Sequence, residues 1–350
     1  MGAAVTPTDE WWEELTYELF LNDTFSDYPD YEDVFDLSWG VNFKPVFIAV
    51  MLSVVFVVGI LANALLLKVL LKSRKTWRVT DTFILQLAVA NVMLLATLPL
   101  WAAQYASVGG WVFGTLMCKT TVGVFMINFY CGIFLMLCIS VVYCLSIVRS
   151  AERFMQRNPW VVHASCVVVW IFSLLLSIPD WISLEVAIDD RKNRRECLRQ
   201  FSKFGNGTEE MMILLKWLHP TVGFLLPSVV LILCFSCILL QLWCSSPSPQ
   251  KQQAFKTITA LSLLFFLCQA PFYITLMWEK CNQNTMVEKT SECINFLDKA
   301  LTITSTLGYF HWVLNPILFV LVDVKLWLQL RDMWGKTSNR AVFQPSVYSS

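Results

Sequence analysis

Seven apolar runs with few charges, each long enough to cross a bilayer as a helix, dominate this 350-residue chain. They lie near 43–71, 82–106, 118–148, 161–186, 211–243, 257–279 and 296–321. Roughly 20 apolar residues in a helix cross the hydrocarbon layer, where helices are one of only two folds that satisfy their own backbone. The expected fold is an all-α membrane protein, a seven-transmembrane helix bundle over 43–321. An acidic tail over 1–42 precedes it, and a short amphipathic eighth helix with a terminal tail over 322–350 follows. The charge content agrees: 15% of residues are charged, against about 25% in soluble domains.

Charge by segment sets the expected orientation. The first 42 residues hold eleven Asp or Glu and no Lys or Arg. No cleavable signal is expected, because no basic leader precedes a short apolar core. With the N-terminus outside, the loops expected inside carry Lys72, Arg74, Lys75 and Arg78, then Arg149, Arg153 and Arg157, with Lys251 and Lys256 in the third. The loop 187–210 breaks the pattern with six basic residues. Asn22-Asp23-Thr24 and Asn206-Gly207-Thr208 fit the glycosylation acceptor pattern, and both fall on the expected outer side. Eight of the twelve cysteines lie in or at the ends of apolar runs, as small apolar residues. Cys118, Cys197, Cys281 and Cys293 fall outside, where disulfides persist. Cys118 is expected to pair with Cys197, and Cys281 with Cys293 inside one loop.

Several function classes fit poorly. Net charge is zero, which gives no field for nucleic acid. Transport is poorly supported without an internal repeat and with few deep ionisable residues beyond His219, His311 and Lys216. His163, His219 and His311 lie in different runs without metal-ligand spacing. No enzyme activity, metal or cofactor is expected.

Local residues then point to a family. "GILANALL" in run 1, "LQLAVAN" in run 2, Cys118, Trp170, Pro227, Pro271 and "NPILF" in run 7 resemble, in order, the rhodopsin-like G-protein-coupled receptors. "TLPLW", "GWVFG", "INFYCGIFLMLCIS", "LLSIPD", "GFLLP" and "STLGYFHWVLNPIL" look most like the CXC chemokine receptors, the third type in particular. The resemblance covers about 43–333. It implies two ligand-contact zones. In the outer tail, Tyr28 and Tyr31 stand among Asp27, Asp30, Glu32 and Asp33, acidic flanks that favour tyrosine sulfation. Such a charged segment does not fold alone and suits a basic chemokine surface. In the bundle, Trp101, Phe125, Tyr130, Phe272, Tyr273 and Tyr309 are candidate lining residues. Asp180 and Asp298 are candidate anchors for a basic ligand terminus, since carboxylates at membrane depth are costly.

The same resemblance exposes what is altered. The family carries Asp-Arg-Tyr at the inner end of span 3; here "ISVVYCLSIV" puts Val142, Tyr143 and Cys144 there. Tyr143 offers no cationic fork for an inserted G-protein helix. The span 2 Asp is Asn91, the span 6 Trp is Gln269, the span 7 Tyr is Phe319, and the span 5 Tyr is Phe235. The inner loop "SSPSPQKQQAF" is read as proline-broken, with little helical extension of spans 5 and 6. "DVKLWLQLRDMW" is read as an amphipathic helix on the inner leaflet. Its expected polar face is Lys325, Gln329, Asp332 and Lys336, and its apolar face Leu326, Trp327, Leu330, Met333 and Trp334. No Cys follows it for palmitoylation, and phosphorylatable residues after it are few. The expectation is an atypical chemokine receptor at the plasma membrane, cycling through endosomes. It binds CXC-type chemokines and internalises them with little G-protein activation. Arrestin or endocytic machinery and a signalling receptor as heterodimer are its further expected partners. The rival expectation is a signalling receptor with compensated switches.

Overall fold

A computed structural model of the chain describes residues 43–72, 77–149, 155, 157–189, 194–201, 205, 207–244, 249–283 and 291–342. Seven helical spans cross it. They are α1 (Phe43–Lys72), α2 (Val79–Leu95) with α3 (Leu98–Ala106), α4 (Gly114–Arg149), α5 (Pro159–Ser183), α6 (Thr208–Pro220) with α7 (Leu226–Cys244), α8 (Pro249–Gln283) and α9 (Ser291–Val322). Seven described segments are long and apolar enough to span a bilayer. Large apolar side chains cover their outer faces: Leu240 is 64% and Leu267 69% exposed. In hydrocarbon those surfaces meet like with like, whereas soluble monomers rarely expose large apolar patches.

Proline shapes the spans. Pro99 lacks the N–H that would continue span 2, so α2 ends and α3 restarts with Pro99 in its first turn. The Thr97 hydroxyl donates to the Leu94 carbonyl at 2.7 Å across this break. In span 5 a wide π turn, Thr221–Leu225, separates α6 from α7. Pro227 crowds the carbonyl four residues before it, at Gly223, and the wide turn relieves that clash. Gly223 also lets the span approach α8: a Cβ there would stand 2.5 Å from the Tyr273 hydroxyl.

α4 is the central helix, packing against α2, α5, α7 and α8. Its start carries the Cys118–Cys197 disulfide, as expected, and this bridge pins a hairpin to the bundle. The hairpin pairs β1 (Leu184–Asp189) with antiparallel β2 (Arg194–Arg199), with Val186 opposite Cys197. The sequence reading carried the fourth span to 186, but α5 stops at Ser183 and Leu184 begins the strand. β-branched Val186 and Ile188 alternate with Glu185, Ala187 and Asp189, a pattern a strand accommodates. The α3–α4 loop closes against this hairpin: Trp111 N–H donates to the Arg195 carbonyl at 2.7 Å.

α8 is a second correction. It begins at Pro249, about two turns before the expected start at 257, so span 6 does extend as a helix into the loop. Proline is compatible with the first helical position, where its missing N–H costs nothing, and Gln, Lys and Ala then propagate the helix. After α9, Asp323 interrupts the backbone and α10 (Val324–Val342) follows. The Asp323 carboxylate accepts from the Lys325 and Leu326 N–H groups at 3.0 and 3.4 Å, a side-chain cap. Leu326 and Leu330 are buried against the bundle. Lys325, expected on a polar face, instead pairs with Asp81 at 2.6 Å.

Gly110 has φ +72°, and a Cβ there would lie 2.1 Å from the Arg195 carbonyl oxygen. Gly110→Ala is expected to separate the loop from the hairpin at a cost of about 2–3 kcal/mol. A lowered unfolding temperature of the detergent-solubilised protein is the readout; an unchanged one would show that this contact yields freely.

Candidate functional site

At the disulfide end of the bundle, four spans enclose a cavity with about 640 Å³ of empty space. α4 contributes Phe125, Met126 and Phe129, α6 contributes His219, α8 contributes Gln269, Phe272 and Tyr273, and α9 contributes Ser305, Gly308, Tyr309 and Trp312. The spacings of three and four place each set on one helix face. The rings meet edge to face. Phe125 and Trp312 have centroids 5.4 Å apart at 88°, and Tyr309 and Trp312 5.4 Å apart at 60°, geometries that suit the aromatic quadrupole.

Of the expected lining residues, Phe125, Phe272, Tyr273 and Tyr309 line this cavity. Trp101 does not. It is buried in the core at the disulfide end, with its ring 5.7 Å from Trp111. Tyr130 is fully buried behind the wall. Met126, Phe129, His219, Ser305, Gly308 and Trp312 escaped the sequence reading, although the i, i+3, i+4, i+7 stripe 305–308–309–312 marks that face. Tyr28, Tyr31, Asp27, Asp30, Asn22 and Asn206 lie outside the described residues, as do the side chains of Asp298, Cys281 and Cys293.

Asp180 requires a correction. It is 0% exposed and does not line the cavity. Its Oδ1 receives Arg199 Nη2 at 2.6 Å and His219 Nε2 at 3.1 Å. The other histidine nitrogen meets the Tyr130 hydroxyl at 3.0 Å, with the two rings stacked at 9°. A carboxylate at this depth needs internal partners, and the hairpin supplies Arg199. The expected anchor for a basic ligand terminus therefore has Oδ1 already engaged by internal partners, while Oδ2 is buried without a hydrogen-bond partner among the described residues.

At the opposite end, charged side chains also pair with one another, although Arg78 Nε is buried without a hydrogen-bond partner among the described residues. Arg78, just ahead of α2, pairs with Asp323 and, at 3.3 Å, with Asp81. Burial opposes the Arg78 charge, but Asp323, Tyr143 and Asp81 outweigh it and raise its pKa. Tyr143 packs beside the core, and Arg78, Asp323, Thr80 and Thr257 are the polar groups around its hydroxyl. Gln253 of α8 donates to the Val322 carbonyl of α9 at 2.8 Å.

The neighbouring positions are neutral and packed. Val142 and Phe319 are buried in one apolar cluster. Cys144 packs with Cys234, Ile238 and Ile258, and Phe235 lies 5.7 Å from the Phe255 ring. Deeper in the bundle, Asn91 Nδ2 donates to Asn63 Oδ1 at 3.2 Å. Asn63 Nδ2 in turn donates to the Gly59 and Trp312 carbonyls at 2.9 and 3.2 Å.

Residues 62–319 match the family described as "7 transmembrane receptor (rhodopsin family)". The chain is 35% identical over 327 residues to the C-X-C chemokine receptor type 3 of Rattus norvegicus, covering 92% of this chain and 85% of the relative. It is 34% identical over 312 residues to the human type 3 receptor, covering 88% and 82%. The type 2 receptor of Oryctolagus cuniculus is 33% identical over 325 residues, covering 90% and 87%.

This chain belongs to the rhodopsin-family receptors, in their C-X-C chemokine receptor branch. It is a multi-pass membrane receptor, not an enzyme. In this receptor the span 3 position expected to hold arginine is Tyr143, and the cation beside it is Arg78 from the start of span 2. The position expected to hold a span 2 carboxylate is an amide, Asn91, working as a hydrogen-bond donor.

Two outcomes follow from these pairs. Asn91→Asp sets an acceptor against Asn63 Oδ1, and Asn63 cannot reverse its amide without losing both of its own donor bonds. The expected cost is about 1–3 kcal/mol, the penalty of an unmet buried polar group, read as a lower unfolding temperature; equal stability would mean that the amide pair carries nothing. Arg78→Gln removes the cation from Asp323, and charge-assisted bonds of this kind contribute about 2 kcal/mol. Amide exchange at the start of α10 is expected to speed up, and unchanged protection there would separate the cap from the ion pair.

Proposed function

We propose that this receptor captures CXC-type chemokines at the cell surface and carries them inward with little or no G-protein activation, thereby shaping chemokine gradients and leukocyte migration. The observation that carries this reading is Tyr143. A phenol replaces the guanidinium that would meet an inserted G-protein helix, and it lacks that planar five-donor fork. The charged groups beside it, Arg78 and Asp323, belong to one internally paired set: Arg78 binds Asp323 and Asp81, and Lys325 binds Asp81. Val142, Cys144, Phe235 and Phe319 add packing without polar reach. The capture side keeps its parts: a disulfide-pinned hairpin and an aromatic cavity.

In this reading the N-terminus lies outside. Tyr28 and Tyr31, with Asp27 and Asp30, meet the basic chemokine body and mainly raise the association rate. Phe125, Tyr273 and Tyr309 meet the ligand segment that enters the bundle, Asp298 is a further candidate contact, and Asn22 and Asn206 carry glycans. Arrestin or other endocytic machinery draws the complex inward, and a signalling chemokine receptor is a partner for heterodimers.

A second reading, a signalling receptor with compensated switches, is favoured by the inward extension of α8 to Pro249, which gives a G protein a longer helix to grip. The two separate in cells that bind a labelled CXC chemokine through this receptor. Binding and depletion of the chemokine from the medium, without G-protein activation, is the expected result. Ligand-stimulated activation in those cells would replace the capture reading with the signalling one. The triple change Val142→Asp, Tyr143→Arg, Cys144→Tyr is expected to restore little activation, because Asn91, Gln269, Phe235 and Phe319 remain.

A further inference from the structure

The lining of the ligand cavity contains no Asp, Glu, Lys or Arg among the described residues. Its walls are rings, a methionine, a glycine, an amide and a hydroxyl, with one imidazole, that of His219. Behind that imidazole lies the carboxylate of Asp180, 0% exposed and shared on one oxygen between His219 and Arg199. Arg199 comes from β2, two residues beyond the cysteine that ties the hairpin to α4. Its side chain is 7% exposed. A cationic side chain of this receptor thus already sits where a cationic ligand group would gain its counter-charge.

We infer that Arg199 determines the specificity of the cavity: by occupying Asp180 from within, it makes the cavity select an uncharged apolar or aromatic ligand segment over a cationic one. The inference rests on the reading of this cavity as the seat of the ligand. A cation entering it leaves water without meeting a charged partner among the described lining residues, which is costly, and the ring faces recover only part of that cost. An uncharged segment leaves little hydration behind and gains contact with the rings. To pair with Asp180 Oδ1, a cationic ligand must first displace Arg199, and with it the base of a disulfide-anchored hairpin, and Oδ2 is buried.

The test uses the full-length receptor in detergent and two hexapeptides, acetylated and amidated, each carrying one benzoylphenylalanine. They differ only in holding norleucine or lysine at two positions. Photolabelling over a concentration series, with the labelled receptor peptides identified by mass spectrometry, gives the half-saturation of each at the cavity. In the unmodified receptor the norleucine peptide is expected to saturate at about tenfold lower concentration, a difference of about 1.4 kcal/mol. Arg199→Gln removes the cation paired with Asp180 behind the cavity wall and is expected to cancel or reverse that preference. Should Arg199→Gln alone fold poorly, the paired change Arg199→Gln with Asp180→Asn removes both charges and is expected to keep the preference for norleucine. Equal or better labelling by the lysine peptide in the unmodified receptor overturns the inference. So does a preference unchanged in Arg199→Gln, or the absence of cavity labelling by either peptide. The chemokine capture assay reads separately: loss of capture with the peptide preference intact sinks the functional reading alone, and the converse sinks this inference alone.

Discussion

Hydrocarbon donates and accepts no hydrogen bonds, and the rest of this receptor follows from that constraint. Every backbone N–H and C=O in the membrane must find its partner inside the chain, which is why the seven spans are helices and why their breaks are guarded. The Thr97 hydroxyl covers the Leu94 carbonyl beside Pro99. The π turn before Pro227 absorbs a displaced carbonyl. Charged side chains obey the same rule. Asp180 takes Arg199 and His219, and Asp81 takes Arg78 and Lys325.

These two polar sets give the ends of the bundle their separate characters. At the disulfide end, an arginine from a hairpin reaches a buried carboxylate behind a cavity whose described lining is mostly aromatic. At the α10 end, an arginine from the start of span 2 joins the carboxylates of Asp81 and Asp323 next to Tyr143. In both places a long side chain from outside the helical core supplies the cation. Arginine suits the task because its guanidinium is weakly hydrated and holds several acceptors in one plane.

Much of the fold was legible because apolar length and proline position are local properties. The seven spans and the eighth helix needed no tertiary information. The end of α5 and the start of α8 were misread for local reasons as well. Alternating Val186 and Ile188 continue an apolar run yet prefer a strand, and Pro249 was taken for a helix breaker where it serves as a first residue. Part of the cavity was legible too. Phe125 and Tyr273 are aromatic and fall in the disulfide-end half of their spans, and Tyr309 lies near the middle of its own. Trp101 is also an aromatic in the disulfide-end half, yet its ring turns toward Trp111 because the α3–α4 loop folds over it.

What the sequence by itself determined is the chain's class, its family and the list of altered switch positions, since these rest on residue identity and spacing along one chain. Only the tertiary structure decided which charges meet. Asp180 and Arg199 stand 19 residues apart, Arg78 and Asp323 stand 245 apart, and Lys325 and Asp81 stand 244 apart. Pairing across such separations depends on how helices pack and where a hairpin folds back, and no local pattern encodes it. An isolated carboxylate near a membrane boundary reads as a ligand anchor until its partner is seen. Here the partner is internal, because burying that charge without one costs more than the fold can sustain.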